Sequence, residues 1–540
     1  MGAQGDRLTA CCGVRATSRG STPRARRAVH TRVAGHPSSG WARDLRLRRA
    51  RRPSEEPWLS RFALSSHRES VVRPLEGQSA DVAAAPAPQV GPLASLAALR
   101  ARIGVTPAMI RGAGWSIGGT ASGAVASFVV QVILARALEA TRYGVYSYLL
   151  AWVNVAVLVG KLEFDTAAIR FIATYDGQRQ DGLLRGFWQY GWRVVTRTAI
   201  GVALLAGGAA WLLRHHLHPG IEGGIWAASA LVPLSALLLF SGSTLQGFRQ
   251  VPQAQLPQVL LRPVLFGVGI VLVGAAGVQL EAGSAVALNA GATAVALGAS
   301  LFLLRRAAPA SAIAAPPEFE RTKWKGAVRS FLVISAAQLV LSQQADILVV
   351  GTLLSPRDAG LYSAASQLSG LTMLGAQAVI FVVLPMVSDL HARGRRAELQ
   401  ALVVRTVQGC AAMSIPVVVL LLAGGRVVLN AYGAAFRDAY PILAVLATGQ
   451  VVGATMGIIS GFLLTMTGHE RAASRMVVGT ALFNLALTFV LTPAFGAVGA
   501  AAATVAAGFT RVGLLSWYAR RYVGVAVRPF ITKQPAAEGA

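Results

Sequence analysis

Apolar runs of about twenty residues recur from residue 112 to residue 520, and each is long enough to cross the hydrocarbon core of a bilayer. Hydrocarbon offers no partner to a backbone N–H or C=O, so a spanning segment must satisfy these groups within itself. A helix does so, and the runs lack the every-second-residue alternation of a membrane β-barrel. Composition agrees. The chain is 54% hydrophobic and 14% charged, against roughly 25% charged for a soluble domain, and its mean hydropathy is +0.53. The expected fold class is therefore an all-α polytopic membrane protein, with about twelve transmembrane helices behind a disordered N-terminal tail.

The first six spans read as 112–135, 143–160, 190–213, 224–247, 254–276 and 283–304, and the next six as 328–351, 359–385, 401–423, 440–466, 474–492 and 496–519. Proline within them (Pro233, Pro263, Pro416) and the abundant glycine are tolerable, because neighbouring helices meet the freed backbone groups and small residues let helices approach. Loop charge sets orientation. Alternate loops carry fifteen Lys and Arg against six in the others. The excess at Lys161, Arg170, Arg249, Arg305 and Arg393 and their neighbours puts that side, and both termini, in the cytoplasm.

An internal repeat supports two halves. LEATRYGVYS (Leu138 to Ser147) aligns with LSPRDAGLYS (Leu354 to Ser363) at a constant offset of 216, and Leu, Gly, Tyr and Ser coincide. Each copy follows the first helix of a six-helix block. Even helix numbers keep both copies in one orientation, so two parallel halves related by an axis along the membrane normal are expected, with a site between them. The expected division is 106–304 as an N-terminal six-helix bundle, 305–327 as a cytoplasmic linker, 328–520 as a C-terminal six-helix bundle and 521–540 as a cytoplasmic tail.

Residues 1–105 are rich in Arg, Ala, Ser, Pro and Gly, with RRARRP at Arg48 to Pro53 and no apolar periodicity, and read as disordered. They hold no apolar core of a secretory signal. A transit peptide, weakened by the interspersed acids, and an upstream extension ahead of a start near Met109 both stay open. The Ala/Arg/Gly-heavy usage is that of a high-GC bacterium, which places the chain in a bacterial cytoplasmic membrane. The formal charge of +27 is taken up by the tail and the orienting loops rather than by a nucleic-acid face. Cys11, Cys12 and Cys410 form neither a metal spacing nor a disulfide framework. No P-loop, G-x-S-x-G elbow, H-E-x-x-H or kinase set occurs, so no enzyme, cofactor or metal is expected. His215, His216 and His218 read as solvated loop residues.

Polar residues inside the spans are the functional candidates, because lipid penalises them. In the seventh span Ser335, Gln338, Ser342 and Asp346 are spaced for one helical face, with Gln343 and Gln344 on flanking faces. Asp346 is the acid expected in a cavity; its alternative is a hydrated helix end paired with Arg357. The first span carries a similar stripe, Ser116, Thr120, Ser127 and Gln131, displaced by one residue from the repeat register; Ser116 and Ser127 read as packing hydroxyls. Arg262, beside Pro263 in the fifth span, has the planar fork that holds phosphate; snorkelling to the cytoplasmic surface is its alternative. Arg193 and Arg197 at the start of the third span, and Glu163, Asp165 and Arg170 at the end of the second, line an inward mouth or are ordinary helix ends. Arg511, within the twelfth span, is a further, weaker candidate.

Four stretches together resemble the polysaccharide transporter (oligosaccharide flippase) family of the multidrug/oligosaccharidyl-lipid/polysaccharide exporter superfamily. They are Val129 to Tyr175 with its Y-G-x-Y, QADILVVGTLLSPRDAGLYSAASQL at Gln344 to Leu368, LPMVSDLHARGRRAELQ at Leu384 to Gln400, and NLALTFVLTPAFGAVGAAAATVAA at Asn484 to Ala507. The resemblance implies two six-helix bundles working by alternating access, without an ATP site. It implies a polyprenyl-diphosphate-linked oligosaccharide as cargo, with a polysaccharide polymerase and glycosyltransferases as functional partners. It implies that Arg262, Arg170 and Arg197 hold the diphosphate or acidic sugars. The basic N-terminal extension departs from the family's short start. The first alternative is a proton- or sodium-coupled drug or metabolite antiporter of the same superfamily, with Asp346, Asp165 or Glu163 as coupling acid. A peptidoglycan-precursor flippase would carry extra helices. A sugar polymerase or ligase would carry large outer loops, and those here are short.

Overall fold

The computed structural model describes residues 107–212, 222–467 and 470–527. The readings of residues 1–105, of the three loop histidines, of 528–540 and of the Ser116 and Thr120 side chains lie outside the described residues. The principal elements are α1 (Pro107–Lys161), α2 (Phe164–Gly177), α3 (Asp181–Leu212), α4 (Glu222–Gly247), α5 (Val251–Ala275) and α6 (Ala282–Ala307). They continue with α7 (Arg321–Val340), α8 (Gln343–Leu353), α9 (Pro356–Gly370), α10 (Thr372–Ala392), α11 (Arg396–Tyr432), α12 (Ala434–Leu464) and α13 (Glu470–Tyr518).

Among the described residues eight helices are long and apolar enough to cross a membrane, or nine with α7 and α8 as one span bent by 53°. Two of these are hairpins. A straight α1 of 55 residues would be about 80 Å long, several times the hydrocarbon thickness. Instead Glu139, at φ 59° and ψ 173°, turns the chain. Tyr143 Oη then donates to Gln131 Oε1 at 3.1 Å, a pair that a straight helix would hold about 18 Å apart. In α13 Gly496, at φ 64° and ψ −151°, makes the same reversal; a methyl on Gly499 would fall on the Leu491 carbonyl. Only glycine adopts that backbone freely. α1 thus supplies spans 1 and 2 and α13 supplies spans 11 and 12. The eighth span is α9 with α10. α9 is too short at 15 residues to span by itself, and its buried face carries Ser363, Ser366 and Ser369. Among the described residues twelve spans result, in two groups of six.

Three features differ from the sequence reading. α2 is an amphipathic helix where a loop was expected. Its buried face is Phe164, Ala167, Ala168, Phe171 and Tyr175, at helical spacing, and Arg170 lies exposed on the other side. The seventh span is broken at Leu341–Ser342, where Ser342 turns extended (φ −84°, ψ 156°). The stripe Ser335–Gln338–Ser342–Asp346 is therefore not one face, and Gln338 is exposed while Asp346 is buried. The C-terminal segment docks: Gln400 Nε2 donates to the Ala526 carbonyl and Gln400 Oε1 accepts from the Ala526 N–H, both at 2.7 Å.

The repeat copies meet. Gly144 and Gly360 lie back to back, so that a methyl on Gly144 would fall on the Pro356 carbonyl and one on Gly360 on the Ala140 carbonyl. Around this point Tyr148 Oη and Thr352 Oγ1 lie 3.1 Å apart. Gln367 Nε2 donates to Tyr143 Oη at 2.9 Å, and Asn154 to Gln344 at 3.2 Å. Arg136 Nε donates to the Ala431 carbonyl at 2.5 Å, and Phe128 packs edge-on against Tyr432. The two halves are thus joined at one membrane face along the ends of spans 1, 2, 7, 8 and 9, and the contact continues along spans 2 and 7 as far as Asn154 and Gln344.

At the opposite ends the start of α7 is seated in the first half. Trp324 is fully buried against Phe187, Tyr190 and Phe319. Its indole N–H donates to Tyr175 Oη at 3.0 Å, and Tyr175 donates to Glu320 at 2.9 Å. Lys323 and Tyr175 together hold the Glu320 carboxyl below the usual carboxylate range. Trp324→Ala removes the plug of this socket and is expected to destabilise the protein by about 3–5 kcal/mol. Equilibrium unfolding in detergent checks this; a loss under about 1 kcal/mol would show the socket to be loosely packed.

Candidate functional site

Each half contains one polar cluster within the membrane, and each is built on the repeat's tyrosine. In the first half a π-helical turn at Leu256–Leu261, which contains Pro257 and is followed by Pro263, delivers Arg262. Such turns shift the register of a helix and re-aim the side chain that follows. Arg262 donates from Nη2 and Nε to Asn289 Oδ1 at 3.1 and 3.3 Å. Asn289 Nδ2 in turn donates to Tyr146 Oη at 2.9 Å, and Tyr146 stacks on Phe266 with centroids 6.1 Å apart. Together with Gln131 and Gln258 these residues line a cavity of about 210 Å³. Among the described residues Arg262 has no carboxylate partner. The snorkelling alternative is thereby replaced by a guanidinium held inside the bundle.

In the second half Asp346 occupies the first turn of α8 and is 1% exposed. Its Oδ2 accepts from Tyr362 Oη at 2.7 Å and from Thr504 Oγ1 at 2.6 Å. The alternative pairing with Arg357 is corrected: Arg357 bonds Asp438 at 2.6 Å. Asp346 does not itself line the neighbouring cavity. That cavity, about 300 Å³, is walled by Ser342, Gln343, Gln450, Asn484, Thr504 and Arg511 among others. Thr504 stands between the carboxylate and the space, so the acid communicates with the cavity through a hydroxyl. Ser342 Oγ is turned back to the Leu339 carbonyl and Gln343 donates to Ser369 at 3.3 Å. Asn484 Oδ1 is buried with no hydrogen-bond partner.

The two clusters are related by the repeat, but a different charged residue stands by the tyrosine in each, Arg262 in the first and Asp346 in the second. Tyr146 and Tyr362 correspond at the 216 offset, while the position of Asp346 in the first half is Val130, which lines the Arg262 cavity. The first cluster carries a cation, Arg262, and the second an acid, Asp346, with Arg511 in the wall of the adjoining cavity; none of the three has an ion-pair partner among the described residues. Charges buried in this way call for a mobile partner.

The remaining candidates sit apart from both clusters. Lys161 is paired with Asp165 at 2.8 Å and with Glu163. Leu162 and Glu163 there take φ of 47° and 60°, so the three charges brace the elbow between α1 and α2. Burial pushes the Asp165 carboxyl up, with Lys161 pulling it back. Arg170, Arg193 and Arg197 are exposed; Arg170 lies over Phe171 and Arg193 meets Gln189. They belong to neither cavity lining. Sequence reasoning missed Asn289, Tyr146, Tyr362 and Thr504. The tyrosines were visible as repeat identities, and Asn289 as the lone amide in an Ala/Gly-rich run.

The chain matches the description of the polysaccharide biosynthesis protein family over residues 109–391 and belongs to that family. It is 24% identical over 210 residues to the probable low-salt glycan biosynthesis flippase Agl15 of Haloferax volcanii. That match covers 39% of this chain and 44% of the relative, so the chain spans under half of that relative's length. In fold it is similar to an inward-facing multidrug resistance MATE transporter of the MOP superfamily (TM-score 0.61, 11% identity, 74% of this chain and 94% of the other). It is also similar to the lipid II flippase MurJ in an inward closed conformation (TM-score 0.58, 15% identity, 74% and 86%).

Proposed function

We propose that this protein moves polyprenyl-diphosphate-linked oligosaccharide across the cytoplasmic membrane of a bacterium, by alternating access, for cell-surface polysaccharide synthesis. The observation that carries the proposal is Arg262: a guanidinium inside the first bundle, facing a cavity, with only an amide oxygen for company. A diphosphate supplies the missing anion in the geometry guanidinium prefers. The similarity to a glycan flippase supports the same cargo class. In this reading the bundles are 106–304 and 328–520, joined by the linker 305–327, and both termini are cytoplasmic. The seam at Gly144 and Gly360 then lies on the outer side, so the protein is closed outward. Arg170, Arg193 and Arg197 flank the cytoplasmic approach, and the chain carries cargo without transforming it. Polymerase and glycosyltransferases act before and after it.

The test is reconstitution. Proteoliposomes with a polyprenyl-diphosphate-linked oligosaccharide in one leaflet are expected to expose the glycan to a membrane-impermeant glycosidase at a protein-dependent rate. No acceleration over empty liposomes would refute the proposal.

Asp346 favours a second reading, coupling to a proton or sodium ion, which serves the flippase or a small-molecule antiporter alike. A ligand moves a two-state equilibrium only through differential affinity, and an acid without a cation partner provides it. Asp346→Asn keeps an acceptor for Tyr362 and Thr504 and removes the charge. The variant is expected to fold normally, yet its transport rate should lose its response to an imposed proton or sodium gradient. A retained response would make the acid structural.

A further inference from the structure

The orienting loops leave six cations on the outer side, and the structure brings four of them, Arg136, Arg357, Arg426 and Arg437, to one place. Arg136 holds the Ala431 carbonyl. Arg357 neutralises Asp438. Arg437 Nε donates to Asn430 Oδ1 at 3.0 Å, and the Arg426 guanidinium lies over the Tyr440 ring, 5.0 Å from its centroid. Arg426, Asn430, Arg437 and Tyr440 line an open pocket of about 610 Å³ whose sole acid, Asp438, is already engaged. Arg426 and Arg437 have no carboxylate partner among the described residues. The pocket therefore carries two oriented positive charges.

Its depth is fixed by the helix beneath it. Between Arg405 and Arg426 α11 carries no charge, and at 1.5 Å per residue that run spans about 30 Å, the thickness of the hydrocarbon core. Arg426 thus stands at the level where lipid phosphates lie. The pocket also has a lipid-facing wall. Val427, one of its lining residues, is 76% exposed, and Leu420, two turns away on the same face, is 66% exposed. A soluble anion would have no use for that wall, whereas a lipid fills it with acyl chain while its phosphate meets the guanidinia.

We propose that the Arg426–Arg437 pocket is a binding site for the phosphate headgroup of an anionic lipid in the leaflet at that membrane face. The site stands on the pocket and its depth alone and holds whatever the protein transports. The full chain in neutral detergent is expected to be stabilised against thermal unfolding by phosphatidylglycerol and not by phosphatidylcholine. Arg426→Gln with Arg437→Gln should weaken the apparent phosphatidylglycerol affinity about thirtyfold, and Arg426→Lys with Arg437→Lys should keep most of it. Arg405→Gln, which removes the cation bounding the other end of the same apolar run, should leave the affinity unchanged. An unchanged affinity in the double Gln variant, or an equal loss in Arg405→Gln, would overturn the site. Inorganic phosphate stabilising the protein as well as the lipid does would overturn the lipid assignment in favour of a free-anion site.

Discussion

Gly360→Ala is expected to cost about 2–3 kcal/mol of stability and to hold the two halves apart at the seam. The added methyl meets no flexible side chain that could give way. It meets the Ala140 carbonyl and the backbone of Gly144, which itself stands against the Pro356 carbonyl. Two rigid helices must separate, and the neighbouring contacts Tyr148–Thr352, Gln367–Tyr143 and Asn154–Gln344 lengthen with them. Gly144→Ala should act alike, because the repeat makes the two positions equivalent. Gly298→Ala is the control: a methyl there meets nothing within 4 Å, and alanine in a helix is worth about 0.5–1 kcal/mol over glycine. Equilibrium unfolding in detergent, with the yield of a short bis-thiol cross-link between cysteines at 154 and 344, measures both effects. Equal stabilities for the 360 and 298 variants would remove the seam from the account.

Arg262→Ala should lower transport about a hundredfold while protein level and fold are kept. Truncating one partner of a buried charged hydrogen-bond pair costs about 2–5 kcal/mol, and a hundredfold, about 2.8 kcal/mol, lies in the lower part of that range. Arg262→Lys keeps the charge and loses the planar fork, so it should fall between. Asn289→Ala frees the guanidinium from its only oriented acceptor and should cost less than Arg262→Ala. Initial rates in proteoliposomes, and surface polymer in cells with the protein quantified by immunoblot, check the order. Full activity in Arg262→Ala would exclude it from cargo binding.

Much of this architecture is legible in the sequence alone. Run length dictated spans, and the repeat at Leu138 and Leu354 implied two halves, because hydrocarbon leaves a chain few options. The bends were not legible. Nothing in the Ser-Gln-Gln of Ser342 to Gln344 announces that a helix ends and restarts, since either conformation satisfies local propensity and tertiary packing decides. The same bend carried Asp346 off its expected stripe and into contact with Tyr362 and Thr504. α2 was hidden because its 14 residues are charged as well as apolar and resemble a loop when packing is unknown. Arg262 was identifiable as a buried cation from position alone, but its partner Asn289 lies 27 residues on, and no periodicity links them. Arg426 and Arg437 counted only as exceptions to loop charge until the fold brought them together.

The central claim is that the halves alternate about the seam that Gly144 and Gly360 close. It is tested most directly by locking that seam reversibly. Cysteines replacing Asn154 and Gln344, bridged by a short cleavable bis-thiol reagent in proteoliposomes carrying a polyprenyl-diphosphate-linked oligosaccharide, should stop glycan exposure, and cleavage should restore it. Transport that continues at the uncross-linked rate with the bridge intact would contradict the account.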